Sequence, residues 1–267
     1  MKKLWLRWIA LVVFVVLLGS LFIRLGEWQM HRLDWRRGEN ARITNYQKQP
    51  VKPYEEVFSG PVGHEDQWQR VRVKGTYDAK HQIQALYRNQ NDQAGSEVFT
   101  PLKATDGRYV LVNRGFLPRE QGGSEVATLP APPTGVVEVT GYVRRSENGK
   151  PQAMTPQDGL LVRLVNAEEL SKTLPYTLAD GYIGLTESKP AQSGGLLPMT
   201  TPELDEGPHL SYALQWFAFT VIAVGGVFVL IRNDLKDRKK ALVRAERRAR
   251  KQAEAAKNQE VDDAARA

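Results

Sequence analysis

Two long apolar runs, one near each end of the chain, constrain the fold more than any other feature of this sequence. The first covers residues 4–23 and contains one charge, Arg7, whose long side chain can extend to a membrane surface. The second, Leu210–Ile231, has 22 residues and no charge. Because about 20 predominantly apolar residues are enough to cross a bilayer as a helix, we predict transmembrane helices at residues 4–23 and 210–231.

The first run also has features of a cleavable signal peptide, since both begin with basic residues followed by an apolar core. Cleavage needs small residues at the end of that core, whereas this run ends in Leu21, Phe22 and Ile23. The pair Gly19-Ser20 supplies the small side chains nearest to that end. We expect an uncleaved anchor that continues as a helix to about residue 49.

The positive charge of the chain lies outside the two apolar runs. The formal net charge is +7, which by itself suggests nucleic acid as a partner. Residues 1–7 contribute +3 and residues 232–267 contribute +5, so the stretch between them is nearly neutral, at −1. Membrane topology explains this distribution better than nucleic-acid binding does, and we expect no nucleic-acid partner.

The orientation follows from the basic residues beside the second run. Ten Lys or Arg and three acidic residues lie between Arg232 and Lys251, which predicts a cytoplasmic C-terminus by the positive-inside rule. Arginines also follow the first run, but two spans place both termini on the same side. We therefore expect a multi-pass protein of the inner (plasma) membrane, with both termini cytoplasmic and a periplasmic central domain. The tail at 232–267 is expected to be a solvated basic helix attracted to anionic lipid.

The middle of the chain, residues 50–208, has the pattern of a β-rich domain. Short β-branched and aromatic runs are separated by Gly, Asn and Asp turns, and the predicted strands are Gln69–Tyr77, His81–Arg88, Glu97–Lys103, Tyr109–Phe116, Val136–Arg145 and Gly181–Glu187. One short helix is expected at Asn166–Thr173, with Asn166 as its cap. The predicted fold class is an α+β membrane protein: two transmembrane helices flank an extracytoplasmic, mainly β domain, a sheet or partly open barrel with one or two short helices.

The sequence carries few signs of catalysis. It has no cysteine, which excludes disulfides, thiolate metal sites and cysteine nucleophiles. Nucleotide-binding loops, serine-nucleophile elbows and paired-histidine metal motifs are also absent from it. His31, His64 and His81 are scattered and are interpreted as surface polar residues. We expect a protein that is not an enzyme.

His209 differs from the other histidines because it stands directly after Pro208 at the start of the second run. Tyr212 and Trp216 follow at i+3 and i+7, on the same helix face. A neutral imidazole beside aromatic rings at this depth is a reasonable axial ligand for haem. The alternative is an ordinary helix-start residue at a wet interface. Trp28 likewise fits an interfacial aromatic belt, and Arg32 fits either a headgroup phosphate or a haem propionate.

The chain resembles the Surfeit locus protein 1 family in five motifs that follow one another along nearly the whole sequence. As they stand here, the motifs are Leu25-Gly26-Glu27-Trp28-Gln29-x-x-Arg32-x-x-Trp35, Val71-x-Val73-x-Gly75-x-Tyr77-Asp78, Thr100-Pro101-Leu102 with Val110-Leu111-Val112-Asn113-Arg114-Gly115-Phe116-x-Pro118, Val139-x-Gly141-x-Val143-Arg144, and His209-Leu210-x-Tyr212-Ala213-x-Gln215-Trp216-Phe217. Two departures, Phe116 where the family more often has tryptophan and Arg36 where it more often has lysine, keep aromatic or basic character.

The resemblance implies an assembly factor for a haem-copper (cytochrome c) oxidase that holds or delivers haem a, with the haem-containing catalytic subunit as its partner. His209 would then ligate the iron, Tyr212 and Trp216 would pack on the macrocycle, and Arg32 or Arg114 would meet the propionates. Two other hypotheses remain at this point. One is a membrane chaperone that docks on the oxidase subunit without binding haem, and the other is an envelope enzyme or sensor unrelated to respiration.

Overall fold

The structure is a computed structural model that describes residues 2–119, 126–157, 160–192, 194–200 and 204–266. Its helices are α1 (Lys2–Lys48), α2 (Tyr54–Val57), α3 (Pro151–Met154), α4 (Ala167–Ser171) and α5 (His209–Arg266). Its strands are β1 (Lys52–Pro53), β2 (Arg70–Tyr77), β3 (Ile83–Gln90), β4 (Gln93–Ala104), β5 (Tyr109–Pro118), β6 (Val136–Arg144), β7 (Leu161–Val162) and β8 (Leu178–Lys189). The chain forms two compact units, a helical unit of Met1–Gly38 with Asp205–Ala267 and a β unit of Glu39–Leu204.

The helical unit is built on the two long helices at the ends of the chain. No proline interrupts α1, and Pro50 follows shortly after its end at Lys48, as expected because proline disfavours helix in the residue before it. Helix α5 begins directly after Pro208. Within these helices, Trp5–Lys48 and His209–Gln252 are long and apolar enough to cross a membrane. The predicted topology, with both termini cytoplasmic, stays a prediction.

Small residues on α1 bring the two helices together. A Cβ added at Gly26 would lie 2.6 Å from the ring of Phe217 on α5, so this position has no room for a side chain. One turn earlier, the ring of Phe22 lies 5.5 Å from that of Trp216 and 5.8 Å from that of Phe219, measured between centroids. Contacts of this kind hold helices together where lipid removes the hydrophobic driving force.

The glycine pair on α5 does not have the packing role that its sequence allowed. Within the described part of the chain, no atom lies within 4 Å of a Cβ built at Gly225 or Gly226. The close approach is made instead by Gly26, and by Gly19, where an added Cβ would meet Thr220 at 3.6 Å. A glycine allows two helices to pack closely only where it faces the neighbouring helix, as Gly26 does and the pair on α5 does not.

The β unit is one mixed sheet of eight strands whose central strands form a closed ring. The strand order is β1-β2-β6-β8-β5-β4-β3-β7, and β2 also pairs with β4. The ring β2-β6-β8-β5-β4 is therefore a five-stranded barrel, in which the pair β5–β8 is parallel and the other pairs are antiparallel. Strand β3 extends outward from β4. The prediction of a mainly β domain flanked by two long helices agrees with this α+β architecture, and the alternative of a barrel is the one realised.

Two apolar clusters fill the β unit, one inside the barrel and one on its outer side. The inner cluster is formed by residues of β2, β4, β5, β6 and β8 together with Tyr54 and Phe58 from the segment around α2. The outer cluster packs Leu170 of α4 against residues such as Phe99 and Leu111 from the backs of β4 and β5. Because these clusters cover both faces of β4 and β5, the two strands are buried along most of their length.

Most predicted strands correspond to observed ones, and the short elements were the ones missed. The cap of the predicted helix at 166–173 is confirmed, since the Asn166 side chain accepts a hydrogen bond from the Glu169 backbone N–H at 3.0 Å. The helix itself is shorter, Ala167–Ser171. Elements of two to four residues, namely α2, α3, β1 and β7, have no periodicity of their own and depend on tertiary contacts.

The barrel depends on a close backbone approach at Gly141 of β6, and we expect Gly141→Ala to destabilise it by roughly 1–3 kcal/mol. An added Cβ would lie 2.2 Å from the backbone oxygen of Gly184 on β8, and backbone cannot move aside cheaply. Thermal and urea unfolding of the full-length protein in detergent measures the effect. Gly184→Ala is the matched control, because a Cβ there meets its nearest atom at an ordinary 3.7 Å. Equal losses in both variants would contradict this account.

Candidate functional site

His209 is the first residue of α5, and its ring is fixed by a contact with α1. Its Nδ1 lies 2.8 Å from Oε1 of Gln29. An amide oxygen only accepts hydrogen bonds, so Nδ1 carries the proton and donates it. When the half-buried imidazole is neutral, this hydrogen bond leaves the lone pair on Nε2, the form in which a histidine binds a metal.

The aromatic residues predicted to hold a ligand together with His209 divide into two kinds. Tyr212 and Trp28 are 46% and 58% exposed, so their rings are free to cover a flat ligand or to meet lipid. The ring of Trp216 instead packs between the helices, 5.5 Å from Phe22 and 5.9 Å from Phe219. Trp216 therefore already helps to hold α1 against α5, and its predicted contact with a macrocycle stays a prediction.

Arg32 lies one helical turn from both Trp28 and Gln29 on α1. Its guanidinium stands 4.4 Å from the centroid of the Trp35 ring, a cation–π contact. Arg32 is exposed, and this contact leaves the edges of the guanidinium available for a carboxylate or phosphate. The predicted face of Trp28, Arg32 and Trp35 is thus a strip of alternating aromatic and cationic groups.

A bidentate ion pair joins α1 to the segment before α5 at the end of the helical unit that contains His209. Nε and Nη2 of Arg37 donate to the two carboxylate oxygens of Glu206 at 2.9 and 2.8 Å. Glu206 precedes His209 by three residues, so this pair ties the entry of α5 to α1 two turns beyond Gln29. Neither the contact of Gln29 nor this ion pair was predicted from the sequence. Gln29 was visible as part of the motif around Trp28, although nothing in that motif names its partner.

Arg114 lies in the β unit, where it has a structural role. The side chain is 2% exposed. It donates four hydrogen bonds, to the side-chain oxygens of Gln192 and Gln82 and the backbone oxygens of Pro130 and Ala131, at 2.7–3.0 Å. Burial among these uncharged acceptors lowers the pKa of its guanidinium. The role predicted for Arg114 at a haem propionate stays a prediction.

His81 is paired with a carboxylate in the β unit. Nδ1 of His81 lies 2.7 Å from Asp78 Oδ2, and the Tyr176 hydroxyl donates to the same oxygen at 2.6 Å. Burial acts to raise the pKa of the Asp78 carboxyl, but the hydrogen bonds from Tyr176 and His81 outweigh it and the pKa lies below its usual value. Burial and Asp78 also raise the pKa of Tyr176, so its hydroxyl is a poor nucleophile at neutral pH. This cluster ties the turn after β2 to the segment before β8.

The donor set around His209 fits haem better than a bare metal ion. Among the described residues there is no group of three or more His, Cys, Asp or Glu side chains placed to hold a metal. A bare zinc ion takes three or four protein ligands, whereas a haem brings four porphyrin nitrogens and needs one axial ligand. One oriented imidazole, with the exposed ring of Tyr212 three residues further along the same helix, meets that requirement.

Comparison with known proteins places this arrangement in a family. The model of the SURF1 family matches residues 16–221, which include both Gln29 and His209. An uncharacterized SURF1-like protein of Mycobacterium tuberculosis is 31% identical over 240 residues, covering 87% of this chain and 86% of the relative. Surfeit locus protein 1 of Xenopus tropicalis is 25% identical over 233 residues, covering 79% and 71%. The human Surfeit locus protein 1 is 24% identical over 233 residues, covering 80% and 74%.

The family match covers most of α1, the whole β unit and the first part of α5, and the resemblance inferred from the five motifs is confirmed. The chain belongs to the SURF1 family, which is known for assembly factors of cytochrome oxidase.

Proposed function

We propose that this protein is a non-enzymatic assembly factor that holds haem a at the membrane and delivers it to the catalytic subunit of a haem-copper oxidase. The observation that carries the proposal is the hydrogen bond of 2.8 Å between Gln29 and His209. A helix-start histidine without a special role needs no partner to fix its tautomer. Orientation of one ring nitrogen by a bond to the other is the usual arrangement around a metal-binding imidazole.

Each neighbouring group has a role in holding the cargo. The Nε2 of His209 would hold the haem iron. Tyr212 and Trp28 offer exposed aromatic surface to the macrocycle, and Trp216 keeps the helices in place behind them. Arg32 provides a cation suited to a propionate carboxylate. Arg114 is not needed in this scheme, because four of its hydrogen-bond donors are engaged in the β unit.

Membrane placement completes the proposal. The apolar parts of α1 and α5 cross the inner membrane, both termini are cytoplasmic, and the β unit lies in the periplasm. The basic residues after Ile231 support this orientation by the positive-inside rule. His209 and Gln29 then lie at the periplasmic ends of the spans, at the depth where an amphipathic haem is expected to lie. The β unit would provide the surface for the oxidase subunit.

Replacement of His209 tests the haem site directly. We expect the full-length protein from haem-replete cells to show a Soret band, and His209→Ala to lose at least about nine-tenths of it because this change removes the proposed ligand of the iron. His31→Ala is the matched control, since His31 is an exposed histidine on α1. Wild-type haem content in His209→Ala would overturn the assignment. If the wild-type protein is haem-free and deletion of its gene still lowers oxidase content, the haem-independent chaperone is favoured. Unchanged oxidase content in the deletion strain would favour a role unrelated to respiration.

Gln29 provides a second and independent test. We expect Gln29→Leu to weaken haem binding by about 10–100-fold, because loss of an orienting partner frees the ring and its tautomer. Titration of the apoprotein with haem, followed by absorbance, measures the change. Gln215→Leu is the matched control, since Gln215 is exposed on α5 and forms no hydrogen bond within the described residues. Equal haem affinity in the two variants would show that the contact with Gln29 does not support ligation.

A further inference from the structure

The end of the helical unit opposite to His209 contains a second contact between the helices, roughly 30 Å away along α1. The indole Nε1 of Trp8 donates to Asp234 Oδ2 at 3.0 Å. Asp234 follows the apolar part of α5 directly, and a carboxylate in this position is unexpected because its neighbours in sequence are mostly basic. The hydrogen bond uses one carboxylate oxygen and leaves the other without a partner among the described residues.

A cavity of ≈ 410 Å³ opens beside this contact, and both helices line it. Its apolar wall is formed by Ala10 and Leu11 of α1 and by Leu230 and Ile231 of α5. Its lining also includes one cation and one anion, which we call the charged rim. A concave site that is apolar on one side and bears two opposite charges on the other matches the chemistry of a lipid at the point where its headgroup joins its chains.

The charged rim consists of Arg7 and Asp234. Arg7 is exposed, and it forms no ion pair or hydrogen bond with any described residue. Its planar guanidinium suits a phosphodiester, while the unused oxygen of Asp234 suits a primary ammonium group. A phospholipid with an ethanolamine headgroup carries both groups, joined by two carbons.

We propose that this cavity binds a zwitterionic phospholipid with an ethanolamine headgroup, its phosphate on Arg7, its ammonium on Asp234 and its chains along the apolar wall. The inference rests on the membrane placement in the proposed function but not on haem binding. The excess of basic residues around this end predicts attraction of anionic lipids in general. Asp234 opposes that general attraction and selects a headgroup that brings its own positive charge.

The test compares phosphatidylethanolamine with phosphatidylglycerol, which has the phosphate but lacks the ammonium group. Full-length protein in mild detergent is stripped of lipid and titrated with equal mixtures of the two, and retained lipids are counted by native mass spectrometry. We expect wild-type protein to retain phosphatidylethanolamine in preference by roughly 1.5-fold to fivefold, the range for an exposed ion pair. Equal retention of the two lipids, or preference for phosphatidylglycerol, would overturn the proposal.

Two variants test whether Arg7 and Asp234 cause the preference for phosphatidylethanolamine. Asp234→Asn keeps an oxygen that accepts from Trp8 but loses the charge, so we expect the helices to stay paired and the preference to disappear. Arg7→Gln should lower retention of both lipids. Asp237→Asn and Arg24→Gln are the matched controls, because Asp237 and Arg24 lie on the same helices but outside the cavity. Loss of preference in Asp237→Asn as well would contradict the site.

The same preparation separates this inference from the proposed function. Protein recovered outside the membrane fraction would contradict the membrane placement on which both depend. Normal lipid preference in His209→Ala, together with loss of haem, would support two independent sites. Haem binding with equal retention of the two lipids would leave the proposed function intact and overturn the lipid site alone.

Discussion

The close approach of α1 and α5 is the interaction on which the helical unit depends. Gly26 lets the ring of Phe217 approach the backbone of α1. One turn away, the tilted rings of Phe22, Trp216 and Phe219 continue the contact. Two hydrogen bonds between the helices, from His209 to Gln29 and from Trp8 to Asp234, depend on this spacing.

The sequence predicted the large features of the fold because each has a long signal. Runs of about 20 apolar residues identify helices α1 and α5, and alternating segments identify the strands. Closure of the barrel was not predictable in the same way, because pairing of β2 with β4 depends on three residue pairs, Gly75–Tyr77 with Leu102–Ala104. Nothing local distinguishes such a closure from an open sheet, and the two alternatives remained until the register was known.

The candidate site shows the same division between local and long-range information. His209 was identified from its position after Pro208 at the start of an apolar run. Gln29 lies 180 residues away in sequence, and an uncharged amide on a helix gives no sign of its partner. Arg114 shows the opposite case: an arginine in a characteristic motif attracts a functional interpretation, whereas its observed contacts are with two glutamines and two backbone oxygens of the β unit.

Under the proposed function, the chemical nature of the group that orients His209 matters as much as the histidine. A carboxylate partner makes an imidazole a stronger electron donor to its metal, and this chain contains such a pair in Asp78 and His81, at 2.7 Å. Gln29 orients the ring at nearly the same distance but carries no charge, so it fixes the tautomer without strengthening the bond to iron. A resident cofactor favours the stronger ligand, whereas a carrier has to release its cargo. An amide partner at a half-buried histidine therefore suits a site that holds haem only until the oxidase subunit accepts it.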